Sequence, residues 1–325
     1  MKGLFKNFMA LWLFFLISPN SFAKCDLSTQ QKAQKIKEIL SHRDKPTLLN
    51  FTKVKEAKTY TLYQGSLTTS LSGTKILVPF DFYKSTNPHH SGPRANQKKK
   101  PLIVHLPGIS GVNILDRHVG RFFAKRGKHV VISHYRDPGE KSPYKIYETT
   151  LNNILASLAT IDHFSARTYV AKEKAALLAY SFGGIRASFL SAVDERIKAF
   201  KLVFPSASFA KTLAYSQLDT VLTLKKSFKS QLNITSDRDF IAYVNSELPY
   251  NPLKTFCKSD YSHYFIVHSN NDKYVPFKLQ REFLYTLGNA ASMKVDHLGH
   301  QYGISWYLLR HLSKANLFFD QIFQK

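Results

Sequence analysis

The sequence predicts an α/β protein, a doubly wound and mostly parallel sheet with helices on both faces and a small helical cap. Three observations predict it. Residues 101–106 (PLIVHL) form a continuous apolar run, which suits a strand covered on both faces rather than one with a wet side. Such runs alternate with stretches of helical spacing at short intervals, the pattern of strand-helix-strand units. One further run, residues 174–190 (KAALLAYSFGGIRASFL), breaks at Ser181 and resumes at helical spacing, so it reads as strand, one-residue elbow and helix.

The chain opens with Lys2 and Lys6, an apolar centre at 8–17 and a polar close at 18–23, with Ser21 and Ala23 small where a signal peptidase reads. About ten apolar residues fall short of the ~20 that span a bilayer. Residues 1–23 are therefore expected to be a cleaved export signal, leaving 24–325 as one α/β domain in the periplasm or outside the cell. Lys24 stands before Cys25 where a lipoprotein signal wants a small residue, so lipidation is not expected. Cys25 and Cys257 would meet an oxidising compartment, where a disulfide between them is one expectation and two unpaired thiols the other.

Residues 28–41 carry Ile36, Ile39 and Leu40 at helical spacing, and 58–71 and 74–83 read as two strands joined by a turn at Gly73. Residues 85–100 read as an exposed loop; His89 and His90 there have no neighbouring carboxylate or cysteine to complete a metal site. After PLIVHL come a helix at 113–125, a strand at 128–134, a helix at 145–164, the elbow, and a strand at 197–204. The alternation then stops. Over 206–262, Phe209, Leu213, Leu218, Val221 and Leu222 at helical spacing predict an inserted cap over the sheet edge. It resumes as a strand at 264–268, a helix at 278–287, a strand at 292–295 and one closing helix at 304–323.

The formal charge is +24, and +22 once residues 1–23 with Lys2 and Lys6 are removed; it suits a solvated basic surface in an anionic neighbourhood, or electrostatic attraction to phospholipid headgroups or envelope polymer. Basic residues are scattered and no nucleic-acid-binding signature accompanies them, so no specific nucleic-acid partner is expected.

A serine nucleophile needs a base, and the base needs a group to hold its tautomer. Ser181 sits in A-Y-S-F-G, with small residues two before and two after, as a crowded elbow requires. Asp272 follows the 264–268 strand in a turn-rich segment (SNNDKYVP), and His300 follows Gly299 in a loop after the last strand. His297 is the reserve base. The oxyanion donors are expected to be the backbone N–H groups of Phe182 and Ile109, the latter in the Pro107–Gly108 turn beyond PLIVHL.

The segments LPGISG, AYSFGG, HSNNDKYVP and LGH resemble the α/β-hydrolase superfamily, in its serine esterase, lipase and peptidase types with an inserted helical cap, from about Thr59 to the C-terminus. Two departures are Ala179 for the commoner glycine and Pro107-Gly108 where many members have His-Gly; neither removes a reacting group. The resemblance implies a Ser181–His300–Asp272 hydrolase working through an acyl-enzyme, with no metal or organic cofactor. A small-molecule or lipid ester is the first expectation for its substrate, on the Phe, Leu and Tyr content of the cap. A peptidase or amidase acting on short peptides or cell-wall fragments is the second. A non-catalytic scaffold that binds anionic polymer or lipid is the third.

Overall fold

A computed structural model describes residues 27–87, 99–134, 142–256, 261–288, 290–295 and 297–324. The expected export signal, Cys25, Cys257 and the His89–His90 pair lie outside them.

Nine strands form one sheet in the order β1-β2-β3-β5-β4-β6-β7-β8-β9. β4 (Lys100–Leu106), β5 (His129–Ser133), β6 (Val170–Tyr180), β7 (Ile197–Val203), β8 (Tyr264–Ser269) and β9 (Ala291–Val295) run parallel. β1 (Thr47–Ala57), β2 (Tyr60–Leu71) and β3 (Thr74–Ser85) form an antiparallel meander, and β3 joins β5 antiparallel. The sheet is thus mixed, with its parallel part where the apolar runs stand. β2 and β3 meet through Ser72 and Gly73, whose φ angles of 51° and 84° give the hairpin the twist its strands need.

Helices cover both faces. One face carries α1 (Leu27–Ser41), α3 (Ile146–Ser165), α4 (Phe182–Val193) and α8 (Phe277–Thr286), around a core that includes Leu40, Phe164, Leu190 and Phe283. The other carries α2 (Ile114–Ala124), α9 (His300–Arg310) and α10 (Leu312–Gln324), closing over Phe123, Tyr307, Leu308 and Phe319. Between β7 and β8 the chain inserts α5 (Phe209–Tyr215), α6 (Asp219–Gln231), α7 (Asp237–Ser246) and a 3-10 turn, Pro252–Lys254. Lys225 and Lys229 of α6 both reach Asp237, at 3.7 and 3.1 Å, and tie α6 to α7. Among the described residues no helix is long and apolar enough to cross a membrane.

Two expectations are corrected. The single closing helix is two, α9 and α10, broken at His311 (φ −121°). The apolar periodicity runs through the break because Tyr307, Leu308, Leu312, Ala315 and Phe319 all pack on the same core. β1 was not expected as a strand. It is an edge strand with most residues exposed, so the alternation that marks a half-buried strand is missing.

Candidate active site

β6 ends at Tyr180 and α4 starts at Phe182, leaving Ser181 alone in the turn with φ 53° and ψ −125°. That conformation is costly for a residue with a side chain, and it persists only where the surroundings hold it. They do so closely. A Cβ on Gly183 would lie 2.1 Å from the carbonyl oxygen of Leu106, and one on Gly184 would lie 3.1 Å from Pro205. The glycines after the serine are there because β4 and β7 leave no room for more.

Asp272, Ser181 and His300 come together. His300 Nε2 lies 2.7 Å from Ser181 Oγ, and its Nδ1 lies 2.7 Å from Asp272 Oδ2. With a carboxylate on Nδ1, that nitrogen carries the ring hydrogen and leaves the Nε2 lone pair to accept from the serine hydroxyl. His300 is the first residue of α9, with Gly299 as its N-cap, rather than a loop residue. His297 is exposed and takes φ 66°; His300 is the histidine that meets Ser181.

The carboxylate of Asp272 is buried and well supplied with donors. Oδ1 accepts from the N–H of Tyr274 and Val275 at 2.8 and 2.9 Å, and Oδ2 accepts from Gln280 Nε2 at 2.8 Å. Gln280, on α8, also accepts from the Ser269 N–H through Oε1 at 3.0 Å, so it staples Asp272 to the end of β8. The sequence reading missed this residue. A glutamine on an amphipathic helix carries no signal of its own.

Two aromatic rings flank His300. Phe204 and Tyr274 stand 5.8 and 5.4 Å from it, centroid to centroid. Phe204 takes φ 52°, and its ring fills the space where a Cβ on Gly303 would fall, 2.5 Å away. Gly303, one turn after His300, is thus the complement of Phe204.

Phe182 opens α4, so its N–H has no acceptor within the helix and is available to a ligand oxygen. Gly108 comes so close to the elbow that a Cβ there would lie 3.5 Å from Ser181 Cβ, and Ile109 follows it. Ile109, Ser181 and Phe182 line one cavity of about 230 Å³. Its walls are mostly apolar, with Ile146 and Ile185 on the sheet side and Phe209, Leu213, Val221 and Phe228 from the insertion. None of its described lining residues is charged; Thr149, Thr150 and Thr220 supply hydroxyl groups. Among the described residues, no group of three or more His, Cys, Asp or Glu is arranged to hold a metal ion.

The sequence model of the prolyl oligopeptidase family matches residues 117–323. Solved structures similar to this chain include an acetyl xylan esterase from Paenibacillus sp. R4, at 14% identity and TM-score 0.68, covering 92% of this chain and 96% of that one. Acetyl xylan esterase 1 from Thermoanaerobacterium sp. JW/SL YS485 follows at 11% identity and TM-score 0.64, covering 92% and 94%. A puromycin-hydrolyzing peptidase from Mycobacterium tuberculosis is similar at 15% identity and TM-score 0.56, over 81% of this chain and 46% of that one. At these identities the likeness is one of fold. No functionally curated protein matches the sequence.

Proposed function

The chain belongs to the prolyl oligopeptidase family, which makes it a serine hydrolase of ester or peptide bonds, and from that premise we propose that it is a carboxylic ester hydrolase taking uncharged acyl groups. Ser181 Oγ attacks the ester carbonyl as His300 Nε2 takes its proton, with Asp272 holding the imidazole and stabilising the imidazolium. The N–H groups of Phe182 and Ile109 receive the oxyanion. The tetrahedral adduct collapses to an acyl-Ser181 enzyme as His300 returns the proton to the leaving alkoxide. Water, deprotonated by the same histidine, then releases the acid.

The observation that favours an ester is the cavity beside Ser181. Its described lining is mostly apolar and carries no charged residue, and its volume falls below the ~300 Å³ at which ordinary small-molecule pockets begin. An acyl chain of a few carbons suits it. A peptidase that grips a chain terminus needs a fixed charge near the nucleophile, and the described lining residues offer none. A peptidase cleaving beside an uncharged apolar residue is the second reading, carried by the family. Initial rates on p-nitrophenyl esters from acetate to octanoate, set beside aminoacyl anilides, separate the two. The ester reading expects turnover of the esters that Ser181→Ala abolishes; preference for the anilides in kcat/KM would overturn it.

The export signal at 1–23 belongs to the same proposal. A Cys25–Cys257 bond belongs to it as well, because an exported chain would meet an oxidising compartment. Mass spectrometry of protein from the cell envelope or medium checks both points. The proposal expects a chain beginning at Lys24 and lighter by two hydrogens than its reduced form. The basic charge further predicts retention on anionic vesicles that is lost at high salt.

A further inference from the structure

Tyr180, the residue before the nucleophile, carries a buried phenol that joins two segments of the site. Its hydroxyl donates to Asp116 Oδ1 at 2.9 Å. The Tyr180 ring packs against Gly108, where a Cβ would come within 2.8 Å of Cε2 and 3.3 Å of Cδ2. Asp116, wholly buried in the first turn of α2, is itself held. His105 Nε2 meets its Oδ1 at 2.7 Å, and the N–H of Asn113 donates to its Oδ2 at 2.8 Å. The other ring nitrogen of His105 lies 3.0 Å from the carbonyl of Leu178, so the histidine is fixed at both ends. The network therefore links β4, β6 and the start of α2, the three elements that bound the loop carrying Ile109.

We propose that Tyr180 is a positioning residue for the transition state. Its phenol, anchored by Asp116 and His105, holds Gly108 and so sets the neighbouring Ile109 N–H at its donating position beside Ser181. The inference rests on the hydrolase reading above and adds what makes the oxyanion site rigid. A loop of Pro107, Gly108, Ile109 and Ser110 has little secondary structure of its own, and preorganised donors act only if they need not move when charge develops. Gly108 is required because a side chain there would run into the anchored Tyr180 ring.

Tyr180→Phe keeps the ring on Gly108 and removes the hydroxyl. Its test combines steady-state ester hydrolysis with the affinity for an alkyl trifluoromethyl ketone. Ser181 Oγ adds to the ketone carbon, its proton passes to His300, and the carbonyl electron pair becomes an oxyanion bound where the transition state's would be. The expected result is a fall in kcat of about 10- to 100-fold with KM within about twofold, and a loss of ketone affinity by a similar factor. Asp116→Asn, which keeps an acceptor at that place, should show a smaller fall in both quantities together, and it carries the test if Tyr180→Phe does not fold. The proposal is overturned if either folded variant keeps wild-type kcat and ketone affinity while only its Tm drops, or if kcat falls with ketone affinity unchanged. Failure of the hydrolase reading shows separately, in a wild-type protein that turns over no ester and binds no ketone beyond what Ser181→Ala does, and it would take this proposal with it.

Discussion

Gln280 Nε2 donates to Asp272 Oδ2 over 2.8 Å, the same carboxylate oxygen that meets His300 Nδ1 at 2.7 Å. One amide on α8 therefore fixes the direction from which the carboxylate approaches the imidazole. Gln280→Met keeps the volume and removes both polar ends. It leaves the Ser269 N–H without its partner, at about 1–3 kcal/mol. We expect a Tm drop, and kcat lowered about tenfold with KM nearly unchanged, because Gln280 is not among the residues that line the cavity beside Ser181. Thermal melts and steady-state kinetics on one preparation check both.

The insertion between β7 and β8 supplies one wall of the cavity, so its side chains should set acyl length. Val221→Phe and Leu213→Trp fill space beside Phe209 and Phe228. Each should shift the preferred ester toward acetate and lower kcat/KM for octanoate at least tenfold. Phe228→Ala should shift preference the other way. A chain-length series on the three variants tests this; an unchanged profile would place the acyl group elsewhere.

Gly183→Ala adds a carbon 2.1 Å from Leu106 O and 2.7 Å from Pro107 O, both backbone atoms with nowhere to go. The elbow and the loop that begins at Pro107 must then part. Esterase activity should fall by more than 100-fold even in whatever fraction folds, whereas Gly288→Ala, on a surface turn with open space around it, should leave kcat near wild type. Circular dichroism and activity on the soluble fractions check the pair.

Lys201 on β7 is buried beside Phe265 and Tyr307, and its amine has no hydrogen-bond partner among the described residues. Burial, with Lys314 nearby, pushes its pKa down to about 5. His129, whose Nδ1 accepts from the Ser85 N–H, is likewise pushed down by burial, to about 3. Each group stays neutral in the folded chain at pH values where the unfolded chain protonates it. Stability therefore falls as pH drops below about 10 for the lysine and below about 6.5 for the histidine, levelling off near their folded values. Lys201→Met removes the larger part of that slope and should raise stability by on the order of 3 kcal/mol at pH 7. Denaturant melts from pH 5 to 9 check it: the wild-type slope should be steeper than the variant's.

The three side chains that meet at the candidate site stood out because of where each falls in the sequence pattern. Ser181 breaks an apolar run between small residues, and Asp272 and His300 each follow a strand end. Their supports do not interrupt anything. Gln280 reads as the polar side of a helix, and Tyr180 and His105 read as members of buried strands. Only in three dimensions does a phenol at the end of β6 meet a carboxylate at the start of α2. The same limit hid β1, whose exposed lysines mask its pairing with β2, and the break at His311, which the apolar periodicity crosses without a mark.

The most direct measurement of the central claim is the mass of the protein after reaction with a fluorophosphonate, followed by peptide mapping. We expect one adduct on the wild-type chain, carried by the peptide that contains Ser181, with none on Ser181→Ala and little on His300→Ala. An adduct elsewhere, or a folded wild-type protein that takes no label, would contradict the assignment of Ser181 as nucleophile and His300 as its base.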